Sequence, residues 1–250
     1  PSVGRPQGDV NLGALPLAEP FAALDAQDPH MMGTLDIMEE VGTSAGAIRE
    51  LEKARNEKGA STDDAWFWKS YGSSLPKASH NANIYLLQDD VPNFLRFWMN
   101  SYACMVGANG KMWEWAQWGA YTNCDGPDNG TAGWFLENFR NLLVMEQGPS
   151  LWIARGTPRH WLEQGKKISV QNAPTHFGPL AYEIVSDTDN GKITATVEIP
   201  SRNAPQSVIV RFRHPQAKPI KSVTVNGQPW DKFNPDKEFI ELAGLTGKAV

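Results

Sequence analysis

The residue with the clearest capacity for chemistry is a carboxylate set among aromatic rings. The segment 110–121 reads GKMWEWAQWGAY, and its single acidic residue is Glu114. The aromatic residues around it are Trp113, Trp115, Trp118 and Tyr121. A strand would put Trp113 and Trp115 on the face opposite Glu114, whereas a helix would put Glu114 beside Trp118. Either arrangement brings the carboxylate close to indole, and desolvation of that kind raises a carboxyl pKa toward the range of a general acid or base.

A second cluster of acidic and aromatic residues precedes the first, in DDAWFWKSYG at 63–72. Flat rings stack on the apolar face of a sugar while carboxylates bond its hydroxyls, so this cluster predicts a carbohydrate site. The predicted substrate-binding residues here are Asp64, Trp66, Trp68, Tyr71 and His80. A structural alternative stays open for both clusters. The aromatic residues would then be core, Glu114 would face water, and the aspartates would complement a helix dipole.

A third group lies in the loop YTNCDGPDNGTAG, where Asp125 and Asp128 are three residues apart. This spacing is a weak calcium signal, because it lacks the full ligand series of a dedicated loop. The sequence predicts no other metal and no cofactor. The two cysteines, Cys104 and Cys124, belong to no zinc-type pair and allow at most one disulfide.

Composition excludes several classes of function. The net charge of -5 and the lack of a Lys/Arg cluster give no footprint for nucleic acid. No apolar run approaches the roughly 20 residues that span a membrane. The motifs of serine hydrolases, P-loop proteins, zinc proteases and dinucleotide-binding proteins are absent. We expect the chain to be a piece of a longer secreted or periplasmic protein, partnered by its own N-terminal remainder.

The pattern along the chain predicts two domains of different class. Residues 1–149 contain helical segments, including DVPNFLRFWMNSYACMV with Asp90 as its cap and GTAGWFLENFRNLLVME, and short loops between them favour helical hairpins. The boundary is predicted in EQGPS, and from 150 to 250 the hydrophobic period changes to two. Six short segments predict an antiparallel β-sandwich: KKISVQ, LAYEIVSD, KITATVEIP, SVIVRFRH, KSVTVNG and EFIEL. The turns that separate them include Asp-Asn-Gly at 189–191 and Asn-Gly at 226–227. Arg211 and Arg213 alternate on one strand, a pattern typical of a solvated face, and we predict no site in this domain.

Aromatic helical hairpins followed by a sandwich resemble the C-terminal half of six-hairpin, (α/α)6-toroid glycosidases of the bacterial α-L-rhamnosidase type. In that family a segment of the form T-x-W-E-R-W carries a catalytic glutamate, and a helix of the form G-x-x-x-x-W-L follows before the sandwich. Here KMWEWAQW is followed by GTAGWFLENFRNLL in the same order. The likeness covers most of the chain in architecture but is specific over only about ten residues.

The resemblance implies a fold of α+β multidomain type, with part of an (α/α) toroid before the sandwich, and a role for Glu114 as the general base. Only some of the six hairpins fit in 149 residues, so the general acid would lie outside this chain. The implied reaction is hydrolysis of a plant or algal polysaccharide or oligosaccharide by a carboxylate pair.

Two other functions remain open on the sequence. A polysaccharide lyase on a similar fold needs a base or acid such as Tyr71, His80 or Tyr121 rather than Glu114. A non-catalytic carbohydrate-binding protein would use the aromatic rings only to hold glycan.

Overall fold

The computed structural model describes residues 25–32, 82–106, 111–112 and 129–250. The chain divides into two compact units, Pro1–Asn138 and Phe139–Val250, and each is described here by itself. Helices come first in the chain and sheets follow, so the α+β class is confirmed. None of the helices in the described ranges is both long and apolar enough to cross a membrane.

Three helices longer than one turn are described: α1 (Ala82–Leu87), α2 (Val91–Met105) and α3 (Asn129–Leu143). The connection between the first two explains why α1 stops and α2 starts. Asp89 adopts a φ of 66°, and the amide of Asp90 donates to the Tyr85 carbonyl, which closes the end of α1. The Asp90 carboxylate then accepts from the Asn93 amide at 3.1 Å. The predicted cap at Asp90 is therefore confirmed.

The predicted toroid of helical hairpins is not visible in the part of the chain that is described. A helical turn over 29–32 and the three helices do not by themselves make up a ring. α1 and α2 are consecutive and pack against each other.

The second unit is built from strands. The eleven strands in the described residues are β1 (Val144–Gln147), β2 (Ser150–Ile153), β3 (Lys167–Ala173), β4 (Leu180–Asp187), β5 (Lys192–Ile199), β6 (Ser207–Arg211), β7 (Val223–Val225), β8 (Gln228–Trp230), β9 (Phe233–Asn234), β10 (Phe239–Glu241) and β11 (Gly247–Ala249). Six of these, β3, β4, β5, β6, β7 and β10, coincide with the segments that the period-two pattern predicts.

The strands form a five-stranded sheet in the order β1-β2-β6-β10-β9, a four-stranded sheet in the order β11-β5-β4-β3, and the β7-β8 hairpin. The four-stranded sheet is antiparallel throughout, as predicted. The five-stranded sheet is mixed, because β2 and β6 run parallel. The prediction of a wholly antiparallel sandwich was therefore wrong for this sheet. The physical reason is that β3, β4 and β5 lie between β2 and β6 in the chain and act as a crossover connection.

One hydrophobic core is shared by the two larger sheets. Along β4, Leu180, Tyr182, Ile184 and Ser186 are buried and alternate with more exposed residues. Leu151 and Ile153 of β2 and Val208 and Val210 of β6 belong to the same core.

The two polar side chains of β4 in this core both have hydrogen-bond partners. Ser186 donates to the Leu162 carbonyl, and the Tyr182 hydroxyl donates to the Leu143 carbonyl. Burial raises the pKa of the Tyr182 phenol well above its usual value.

The segment EQGPS, which the sequence predicts as the domain boundary, is the turn of the β1-β2 hairpin. Gln147 pairs with Ser150, and Gly148 between them has a φ of 54°. The five-stranded sheet thus begins before residue 150, and the division into compact units falls within α3.

The predicted hairpin turns are confirmed at two positions. Val225 pairs with Gln228, so Asn226 and Gly227 form a two-residue loop with φ angles of 50° and 78°. Both angles are positive, which is the requirement of a type I′ turn and the reason for the Asn-Gly pair. Between β4 and β5, Gly191 adopts a φ of 68° at the end of the turn Thr188–Asn190.

Candidate functional site

Every residue of the predicted site lies outside the described residues. This holds for the predicted catalytic residue and for the whole predicted substrate-binding set: Glu114, Asp64, Trp66, Trp68, Tyr71, His80, Trp113, Trp115, Trp118 and Tyr121. It holds also for the weak calcium pair, Asp125 and Asp128, and for Cys124. These assignments stay predictions. The structure describes only residues on either side of the predicted site.

The start of the Glu114 segment is described at Lys111 and Met112. Met112 forms an isolated antiparallel bridge with Val106, the residue that caps the end of α2. The residues that follow, from 113 to 128, lie outside the described residues, so both arrangements of the Glu114 segment stay predictions.

Helices α2 and α3 meet through stacked aromatic rings in the first unit. Phe94, Trp98 and Tyr102 recur every four residues on α2, as the helical pattern predicts. The Trp98 ring lies 5.2 Å from Phe135 of α3, and the Tyr102 ring lies 4.5 Å from the same phenylalanine. Phe94 and Trp98 are buried, so this part of the aromatic stretch is core and not a binding surface.

The second unit contains a cluster of arginine and aromatic side chains that the sequence analysis missed. We call it the Arg-Trp cluster; it consists of Trp152, Arg155, Arg211 and Phe239. The Arg155 guanidinium carbon lies 4.3 Å from the centre of the Trp152 ring, and that of Arg211 lies 5.2 Å from it. The Phe239 ring meets Trp152 edge-on at 5.5 Å. Two cations at one buried indole are a strong cation–π arrangement.

The prediction that Arg211 and Arg213 lie on a solvated face was wrong. Both are buried, with 3% and 7% of their surface exposed. Arg211 donates to the carbonyl of Arg155 at 3.2 Å, and Arg213 donates to the carbonyl of Thr157 at 3.1 Å. One guanidinium group is at the end of β6 and the other two residues beyond it, and they bind alternate carbonyls of one loop.

That loop follows β2 and is itself buried from Ala154 to Thr157. A buried loop must find partners for its main-chain groups. The amides of Ala154 and Gly156 donate to the carbonyls of Leu143 and Leu142 at the end of α3. The carbonyls of Arg155 and Thr157 accept hydrogen bonds from Arg211 and Arg213. The Arg155 side chain donates to Gln147 of β1 at 2.7 Å. The Arg-Trp cluster thus stabilises the buried conformation of the 154–157 loop.

A partly buried ion pair lies next along the chain, between Arg159, whose side chain is 32% exposed, and Glu238. The two guanidinium nitrogens each approach one carboxylate oxygen at 2.8 Å, and the Glu238 side chain is only 6% exposed. Glu238 also accepts from the amide of His214, while Arg159 donates to the His214 carbonyl. Burial lowers the pKa of the His214 imidazole and the Lys218 ammonium lowers it further, whereas the Glu238 carboxylate acts in the opposite direction.

These contacts are those of a structural site. Arginine bound to main-chain carbonyls and to a single carboxylate fixes a loop, and Arg155, Arg159 and Glu238 have no sequence signal beyond their residue type. Within the described ranges no group of three or more His, Cys, Asp or Glu residues is placed to hold a metal ion. The alternation of Arg211 and Arg213 after the apolar run SVIV was the one available clue, because it continues a strand that is buried on both faces.

Comparison with known proteins adds no family assignment: the chain matches no family model and no curated protein sequence.

Proposed function

We propose that the chain is the C-terminal half of a glycoside hydrolase that cleaves glycosidic bonds of a plant or algal polysaccharide or oligosaccharide. The observation that carries the proposal is the order of elements around the Glu114 segment. An aromatic helix precedes it, helix α3 follows it, and a two-sheet sandwich comes next. This is the order that the resemblance to (α/α)6-toroid glycosidases implies, with α1 and α2 as part of the helical hairpins of a partial toroid.

The proposed role of Glu114 comes from the resemblance of KMWEWAQW to the segment that carries a catalytic glutamate in those glycosidases. Glu114 would then act as the general base that deprotonates water on the face of the sugar opposite the leaving group. The general acid that protonates the leaving oxygen would come from the N-terminal remainder of the protein.

The proposed sugar-binding surface combines the aromatic residues of both sequence clusters. Rings at Trp66, Trp68, Trp118 and Tyr121 would stack on the apolar faces of sugar units, and Asp64 and His80 would bond hydroxyl groups. A carbohydrate site of this kind combines large flat apolar surfaces with a few polar groups that fix the orientation of the sugar.

The test is the substitution Glu114→Gln in the full-length enzyme, assayed for release of reducing ends from plant and algal polysaccharides. Loss of a general base lowers kcat by about 10²- to 10⁴-fold, and we expect an effect of this size. Glutamine keeps the shape of the side chain, so the circular dichroism spectrum and the thermal midpoint should be unchanged. Glu198→Gln, an exposed carboxylate on β5, is the matched control and should keep full activity.

Three results would contradict the proposal. Near wild-type activity of Glu114→Gln would remove the general base from it. Release of unsaturated products that absorb in the ultraviolet, lost in Tyr71→Phe or His80→Asn, would identify a lyase. Binding of oligosaccharide without turnover by the full-length protein would identify a non-catalytic carbohydrate-binding protein.

A further inference from the structure

Two Asn-Gly steps lie in exposed turns of the second unit, and their surroundings differ in a way that bears on chemical modification. They are Asn190-Gly191, between β4 and β5, and Asn226-Gly227, between β7 and β8. Asparagine before glycine can deamidate without an enzyme, because the unhindered glycine nitrogen reaches the side-chain carbonyl. We propose that Asn226 is a site of spontaneous deamidation in the folded chain, and that the fold protects Asn190.

The surroundings of Asn226 favour attack on its side chain. Its Oδ1 accepts a hydrogen bond from the Val250 amide at 3.0 Å. A donor at this oxygen withdraws charge from Cγ and stabilises the oxyanion that forms there, in the manner of an oxyanion hole. The nucleophile is accessible too, since Gly227 is exposed and a methyl group built on it would meet nothing within 4 Å. In the hydrogen-bond network of the described residues, the Gly227 amide donates to no acceptor.

The surroundings of Asn190 oppose the same reaction at each point. Its Nδ2 donates to both carboxylate oxygens of Asp187, at 3.1 and 3.0 Å. These bonds lower the pKa of Asp187, so a full negative charge lies beside the amide where an oxyanion would develop. The nucleophile is engaged as well, because the Gly191 amide donates to the Thr188 carbonyl at 3.1 Å.

The reaction proceeds in two steps, consumes one water molecule and releases ammonia. The Gly227 nitrogen loses its proton to solvent base and forms a bond to Cγ of Asn226, and ammonia leaves with a proton from solvent. Water then opens the five-membered succinimide at one of its two carbonyls and gives aspartate or isoaspartate. Aspartate keeps an acceptor for the Val250 amide, whereas isoaspartate lengthens the main chain within a two-residue turn and breaks the register of β7 and β8.

The experiment incubates the full chain at weakly alkaline pH and follows each site by tryptic peptide mass spectrometry. Trypsin places the two sites in different peptides, 168–192 and 222–232. A parallel incubation in denaturant gives the deamidation rate at each Asn-Gly site in the unfolded chain. In the folded chain we expect Asn226 to deamidate faster than Asn190 by about tenfold or more, which is less than a single oxyanion donor contributes in an enzyme. In denaturant the two rates should converge.

The variant Asp187→Ala tests the cause of the protection. It removes both bonds to Asn190 and the adjacent charge, so the Asn190 rate should rise while the Asn226 rate stays unchanged. Equal rates at the two sites in the folded chain would overturn the proposal. So would faster reaction at Asn190, or an unmodified Asn226 after the denatured chain has been converted.

Discussion

Glu238 shows how one residue can be held in an unfavourable backbone conformation for the sake of its side chain. Its φ of 57° lies in the left-handed region, where a residue with a Cβ is less stable than glycine. The turn between β9 and β10 that requires this angle would suit glycine. Glycine could not supply the carboxylate that binds Arg159 and the His214 amide. We interpret the glutamate as the residue that this position requires for its carboxylate contacts.

The first prediction follows from the burial of Glu238 in that pair. Glu238→Gln keeps the backbone and the side-chain shape but removes the charge, so we expect the free energy of unfolding to fall by about 1.5–3 kcal/mol, the range for hydrogen bonds to charged groups. Chemical denaturation monitored by tryptophan fluorescence measures the loss.

The matched control is Glu163→Gln, at an ion pair with Lys166 of similar length, 2.7 Å. Both of its partners are about half exposed, and surface pairs of this kind contribute little. The control should leave the denaturation midpoint nearly unchanged. An equal loss in both variants would show that burial of Glu238 is not what makes the pair with Arg159 stabilising.

At the scale of elements, the strands, caps and turns that could be predicted are those with a periodic hydrophobic pattern or a local sequence signal. The alternation in β4 and β5, the cap at Asp90 and the Asn-Gly turn at 226 were all readable, because each depends on residues close in sequence. β1 and β2 were not predicted. In β2 three consecutive residues, Leu151 to Ile153, are buried, so no period of two exists to detect.

The error over Arg211 and Arg213 has the same kind of cause. Charged residues that alternate on a strand look identical in sequence whether the strand face meets water or a buried loop. Only the tertiary structure shows that the carbonyls of Arg155 and Thr157 lie within reach of the two side chains. The predicted site around Glu114 depends in the same way on tertiary placement, and it stays a prediction because its residues lie outside the described ranges.

The second prediction concerns the 154–157 loop. Arg211→Met preserves much of the side-chain volume but removes the donor to the Arg155 carbonyl and one cation at Trp152. The loop should open more often, so hydrogen exchange at the amides of Ala154 and Gly156 should accelerate, by roughly tenfold for each 1.4 kcal/mol lost.

The control lies within the same protein. Amides between β4 and β5, such as those of the Val185 and Thr194 pair, belong to the other sheet. Their exchange should change less than that of the loop. Uniform acceleration across both sheets would mean that Arg211 contributes to global stability and not to local retention of the loop.

At the scale of the whole molecule, the second unit has the properties of an independently folding domain. Its core draws on both large sheets, and the hydrogen-bonded partners of the 154–157 loop, Leu142, Leu143, Arg211 and Arg213, all lie within the unit. A domain with its own core is expected to fold alone. The proposed catalytic residue, Glu114, precedes it in the chain, so stability of the sandwich and activity should be separable.

The last prediction is that residues 129–250, which include all of α3 and the eleven strands, fold in isolation. We expect a cooperative thermal transition by near-ultraviolet circular dichroism and well-dispersed amide signals by NMR, with no hydrolase activity. Leu151→Ala in this fragment should lower the free energy of unfolding by about 2–5 kcal/mol, because Leu151 is fully buried between the sheets. Val185→Ala, on the outer face of β4 and 39% exposed, should cost far less. A fragment with a broad transition and poorly dispersed signals would show instead that the sandwich needs the preceding chain to fold.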